Sequence, residues 1–251
     1  MARGPPRRRG MGERAAMYRL EGPDLAMAAA LVLLALATAG LGTGLGPVVM
    51  AASLSSAAAS LAGLILGLAS AFDDREGWAA AYIAAMGRRR YALWRTATTS
   101  LKAALVLAPA TALYAAARPG GAAAYATAVV LSAYSSLYMG LLIGFSAKSR
   151  GYGYAWGVSL WTALALVYDL ALTFATTYLP IPTEAVAGAL LLNPVTAARL
   201  AGVAQADPHL LTLGPVGDLL YSSAFVIPVA AATWLAALLA TAVIKIATTD
   251  L

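Results

Sequence analysis

Residues 25–72 carry no charged side chain, and neither do residues 119–147 or 219–244. A helix rises about 1.5 Å per residue, so roughly 20 apolar residues cross about 30 Å of hydrocarbon. The 17 Lys and Arg residues fall between such runs, and 15 of them lie on segments that alternate threading brings to one side. The runs are apolar throughout rather than alternating, which specifies helices over a β-barrel. The reading is an all-α polytopic membrane protein.

Composition agrees. Only 11% of residues are charged and 61% are hydrophobic, against about 25% charged in a soluble domain, so no water-facing shell can be built. The formal charge of +6 belongs to residues flanking apolar spans, as the inside-positive bias requires, and predicts no nucleic-acid partner. Absence of cysteine removes disulfides, thiolate metal sites and Cys nucleophiles. His209 is the lone histidine, Asp207 and Asp218 are scattered around it, and the seven Met are dispersed. No metal or cofactor is expected in this chain.

Residues 1–21 form a basic cytoplasmic segment with Arg7-Arg8-Arg9, read as a retained anchor rather than a cleaved signal or twin-arginine address. Residues 22–251 form the transmembrane domain. Spans are predicted near 25–42, 48–71, 99–117, 122–146, 154–177 and 219–244. Gly40, Gly42, Gly44, Gly46 and Pro47 turn the first into the second, and Lys102 is expected to snorkel to the interface. Six spans place both termini on one side. The basic residues number six before span 1, six between spans 2 and 3, two between spans 4 and 5, and one after span 6, leaving Arg118 and Arg199 outside. That asymmetry predicts a multi-pass cell-membrane protein with both termini cytoplasmic. In span 2, Ala51, Ala52, Ser55, Ser56, Ala59, Ser60, Gly63 and Gly67 offer a small-residue face for close helix approach.

The cytoplasmic connection 72–96 is the segment that reads as functional. Trp78, Tyr82, Ile83 and Met86 form one apolar stripe on a short helix. Asp73, Asp74 and Glu76 precede it, Arg88, Arg89 and Arg90 follow it, and Gly87 stops it. A second short piece, Arg90 to Arg95, leads into span 3. Such an element either lies on anionic lipid or docks into a cytoplasmic partner. The compact mix of acidic, aromatic and basic residues favours the partner.

Asp169 is the only acid deep in a span. It needs a partner, water or neutralisation, with Tyr168, Thr162 and Thr173 as nearby candidates, and it reads equally as cleft lining or as a structural acid. Segment 178–218 is extracytoplasmic. It predicts two helices too short to span, Glu184 to Leu192 and Pro194 to Ala204, with Asn193 as N-cap of the second. They form an outer gate, a re-entrant cap or a plain surface cap.

Asp74-Arg75-Glu76-Gly77, the helix from Trp78 to Met86 and Gly87-Arg88-Arg89-Arg90 resemble the coupling element of ABC-2 type transporter permeases. With Val167-Tyr168-Asp169-Leu170 and Leu192-Asn193-Pro194-Val195-Thr196-Ala197-Ala198-Arg199-Leu200, the chain is similar to the NosY-like branch, associated with copper-enzyme maturation. Gly87 stands where that family commonly has Pro, and the Arg triplet is heavier than usual. The resemblance implies a six-helix, type V exporter-like permease fold working as a homodimer with two cytoplasmic ATPase subunits that bind ATP and Mg. It implies that residues 73–96 form the coupling element, with Asp73, Asp74, Arg75, Glu76, Gly77, Trp78, Tyr82, Met86, Gly87, Arg88, Arg89 and Arg90 engaging the ATPase. An extracytoplasmic accessory protein is a further partner. The chain itself lacks a Gly-x-x-x-x-Gly-Lys-Ser/Thr loop, so any ATP hydrolysis is expected in a partner. The rival readings are an ion-coupled carrier without ATPase and a membrane-embedded enzyme.

Overall fold

The computed structural model describes residues 20–42, 44–76, 79–207, 209–222 and 225–249; the side chains of Glu76 and Thr212 fall outside this set. The basic N-terminal segment, Gly77 and Trp78 lie outside the described residues. Helices α1 (Gly22–Ala39), α2 (Leu45–Glu76), α3 (Ala79–Met86), α4 (Arg88–Ala117) and α5 (Ala122–Ser146) come first. Then follow α6 (Arg150–Thr162), α7 (Tyr168–Tyr178), α8 (Thr183–Leu192), α9 (Pro194–Ala206), α10 (Pro215–Ser222) and α11 (Val226–Thr248). A π-helical turn, Ala163–Val167, joins α6 to α7 into one continuous span. Among the described residues, six spans are long and apolar enough to cross a membrane: α1, α2, α4, α5, α6–α7 and α11. This is a multi-pass membrane protein. One end of the bundle collects the basic residues and is called here the basic face; the other is the far face.

The core is the α2–α5 pair. Both helices run from the far face to the basic face, so they pack in parallel, and backbone meets backbone along the seam. A Cβ added to Gly63 would stand 2.1 Å from the Ala133 carbonyl oxygen, and one on Gly67 would stand 2.2 Å from that of Leu137. Gly140 and Gly144 answer from α5, the former pressed onto the Leu64 carbonyl and the latter onto Ala71. In lipid no hydrophobic force drives helix association, so close backbone approach and dispersion must supply it. The small-residue face of span 2 is therefore a real contact: Ala51, Ala52, Ser55, Ser56, Ala59 and Ser60 are all buried.

Three helices depart from the expected boundaries. Span 3 was predicted to begin near residue 99, with a separate piece at 90–95, but α4 is one helix from Arg88. At 32 and 30 residues, α2 and α4 run roughly 45–48 Å, well beyond the ~30 Å of hydrocarbon. Their basic-face ends carry Asp73, Asp74 and Arg75 on α2 and Arg88, Arg89 and Arg90 on α4, charges that hydrocarbon disfavours. Span 6 was predicted to begin at 219, whereas Pro215–Ser222 is a helix of its own and the span starts at Val226. Lys102 reaches toward the basic-face end of α1, where it pairs at 2.7 Å with the buried Asp24. Asp24 also accepts the Glu21 backbone N–H at 2.8 Å, capping α1.

Segment 178–218 holds the two predicted short helices, and they re-enter the bundle. Their axes differ by 106°, so the chain dips in and returns to the side it came from. Asn193, at the tip, donates its side-chain amide to the Leu164 carbonyl at 2.6 Å, at the middle of the Arg150–Tyr178 span. At the exit, Gly202 lies on Ala124 and Ala128 at the far-face end of α5, and Gln205 donates to Thr127. Helix α9 is buried along most of its length.

Candidate functional site

Two polar arrangements interrupt the apolar bundle. The first is the elbow on the basic face. Asp74 accepts from Arg95 Nε at 2.7 Å, and the same guanidinium donates through Nη2 to the Ser70 carbonyl at 2.7 Å. Arg75 donates to the carbonyls of Gly144 and Ala147, closing the C-terminal end of α5, where unpaired carbonyls accumulate. Asp73 meets Arg150 at 3.3 Å. The acid–Arg motif thus ties the end of α2 to α4, α5 and α6.

Between these ties sits α3. Gly87 has φ of 82°, a left-handed backbone that glycine adopts without a Cβ penalty, and this lets α3 reverse directly into α4. The apolar stripe turns inward: Tyr82 stacks on Trp94 with centroids 5.3 Å apart, and Ile83 and Met86 pack on the core. What α3 presents outward is Ala80, Ala81, Ala84 and Ala85, followed by the exposed Gly87, Arg88, Arg89 and Arg90. The surface offered to any partner is therefore a shallow alanine face edged by arginine, with Tyr82 and Met86 facing the chain's own helices.

The second arrangement surrounds Asp169. Its carboxylate accepts from Arg199 Nη2 at 2.6 Å and from the Thr196 hydroxyl at 2.9 Å. The Thr173 hydroxyl donates to the Asp169 backbone carbonyl rather than its carboxylate, and Tyr168 donates to the Ala189 carbonyl at 2.7 Å. Arg199 had been counted among the outer charges. Folding brings it down to Asp169, about five residues, or roughly 8 Å, from mid-span. Asn193, Thr196 and Arg199 recur every three residues, so they share one face of α9. That spacing on the expected Pro194 to Ala204 helix is the signal in the sequence, but it names no partner, and Asp169 lies 27 and 30 residues away.

Asn193 performs two tasks. Its Oδ1 accepts the Val195 and Thr196 N–H groups at 3.0 and 3.4 Å, and its amide fills a carbonyl of the π-turn. Replacing it with alanine is expected to lower stability by about 1–2 kcal/mol through the lost cap alone, and by more through the orphaned Leu164 carbonyl. Asn193→Asp, which keeps the cap but sets a buried carboxylate against the Leu164 carbonyl, is expected to cost at least as much as the alanine. Thermal unfolding of the detergent-solubilised variants measures both. Trp234 Nε1 steadies the same hairpin by donating to the Leu191 carbonyl at 2.9 Å.

Asp169 and Arg199 retain 23% and 21% side-chain exposure. A charge presented to hydrocarbon costs several kcal/mol, so this face calls for water or protein over it. Among the described residues no group of three or more His, Asp and Glu side chains is placed to hold a metal ion. His209 instead packs on Tyr221, with ring centroids 4.5 Å apart.

Together these features define an all-α, multi-pass membrane protein, consistent with a permease, in which a re-entrant helical hairpin carries a charge pair to bilayer depth. No protein-family model matches the chain, and no curated protein matches its sequence.

Proposed function

We propose that this chain is the membrane-spanning subunit of an ATP-driven transporter. Two copies act together, and separate cytoplasmic ATPase subunits bind ATP and Mg. The chain itself is non-catalytic in this reading. The observation that carries it is the elbow. Helix α3 leaves one face open and stacks on α4 through Tyr82 and Trp94, beside the end of α2, which Asp73, Asp74 and Arg75 tie to α4, α5 and α6. Force applied to α3 then moves these helices together, because the glycine seam of α2 and α5 leaves no slack for sliding. At the other end of the lever lies the hairpin with Asp169 and Arg199, whose largely buried pair would border the cleft between two copies.

The test is recovery of a P-loop ATPase with the tagged chain from its native membrane. The wild-type chain is expected to bring it down. The double variant Ala81→Glu, Ala84→Glu is expected to lose at least ~90% of it, since two acids on an alanine face desolvate on docking, with thermal unfolding unchanged because both positions are exposed. Failure of the wild-type chain to retain any ATPase overturns the reading.

The Asp169–Arg199 pair on a broken helix favours a second reading, an ion-coupled carrier. Transport in sealed vesicles driven by a proton gradient with no ATP would select it.

A further inference from the structure

On the far face, residues of the α1–α2 turn, the α4–α5 turn and the hairpin exit line an open pocket of about 490 Å³, within the size range of small-molecule sites. Its lining is lopsided in charge: Arg118 is there and no acid is. Arg118 uses Nε and Nη2 to hold the Ala39 carbonyl at 2.8 and 2.7 Å, at the C-terminal end of α1. A guanidinium has five N–H donors, so three remain for a ligand. Among the described residues no acid pairs with Arg118.

The walls are bare backbone where a ligand would enter. A Cβ on Gly42, Gly44 or Gly120 would meet nothing within 4 Å. Leu45 and Val48 supply an apolar flank toward the spans. The cavity therefore sits where α1, α2, α4 and α5 end, at the boundary of hydrocarbon and water, with a fixed cation beside an apolar strip. A far-face arginine also runs against the inside-positive bias, and a ligand for its charge accounts for it.

We propose that this cavity binds the phosphate of an anionic lipid headgroup from the far-face leaflet, with the lipid's apolar portion along Leu45 and Val48. The bidentate geometry of Arg suits a phosphate, and the site is independent of the elbow and of any ATPase.

Native mass spectrometry of the delipidated full chain tests it, with phosphatidylglycerol, phosphatidylcholine and inorganic phosphate as probes. One phosphatidylglycerol per chain is expected to survive activation that strips phosphatidylcholine. Gly120→Asp, which adds an acid in open space, is expected to weaken retention roughly tenfold, the effect of one unit charge about 5 Å away in an interfacial dielectric. Gly120→Ala is expected to bind as the wild type does. Gln205→Glu provides a second acid, should Gly120→Asp unfold. Equal retention of the two lipids, or wild-type retention of phosphatidylglycerol by both acidic variants, overturns the proposal. Saturable binding of inorganic phosphate without retention of phosphatidylglycerol overturns the lipid assignment and marks a soluble-anion site.

Discussion

Replacing Gly67 with valine is expected to abolish recovery of folded protein. Even the first carbon of the new side chain would stand 2.2 Å from the Leu137 carbonyl oxygen and 2.9 Å from the Leu141 nitrogen. Both obstacles are helix backbone, so no rotamer change relieves them. The helices must separate, and separation removes the dispersion contacts that hold α2 to α5 along the whole seam. Overpacking of an ordinary core costs about 1–3 kcal/mol. Here the obstruction is rigid and is repeated by the Gly140 contact with Leu64 one turn away, so the loss is expected to exceed that range. Size-exclusion profile and thermal unfolding in detergent read the outcome. Gly188→Val is the control: its Cβ position is open, and α8 is exposed there, so a normal profile is expected. A folded Gly67→Val protein would show that α2 and α5 do not meet at this distance.

Arg199→Met is expected to cost about 3–5 kcal/mol, because it strands Asp169 at bilayer depth without its cation. The Thr196 hydroxyl at 2.9 Å remains, but one neutral hydrogen bond replaces little of a charge pair. The informative comparison is the double variant Asp169→Leu, Arg199→Met. Apolar replacement of both members of a buried pair is often neutral or stabilising, so thermal stability is expected to return to near the wild-type value. If stability returns while transport does not, the charges serve the pathway; if both return, the pair serves packing alone. A double variant as unstable as the single one would remove the argument that a stranded carboxylate causes the loss.

Much of this architecture was legible in the residues. Uncharged stretches marked the spans, Gly87 marked the reversal between α3 and α4, and Asn193-Pro194 marked the start of α9, because each signal acts through local covalent or solvation physics. The length of α4 was not legible. Arg88, Arg89, Arg90 and Arg95 look like a loop to any hydropathy criterion, yet a helix continues into water when its charges find partners, as Arg95 does in Asp74 and the Ser70 carbonyl. The candidate site was half legible. Asp169 announced itself as an acid in an apolar span. Arg199 did not announce itself as its partner, since a basic residue on a short helix outside the spans ordinarily stays at the surface.

The sequence alone determined that the chain threads a membrane, how many times it does so, and where its charges gather, because transfer of a side chain from water to hydrocarbon depends chiefly on that side chain. Only the tertiary structure decided which partners those side chains take. It matched Gly63 and Gly67 with Gly140 and Gly144, turned Tyr82 inward onto Trp94, and folded α8 and α9 back to bring Arg199 to Asp169. Pairings of this kind join residues 12 to 77 positions apart, and no local preference encodes a meeting at that separation.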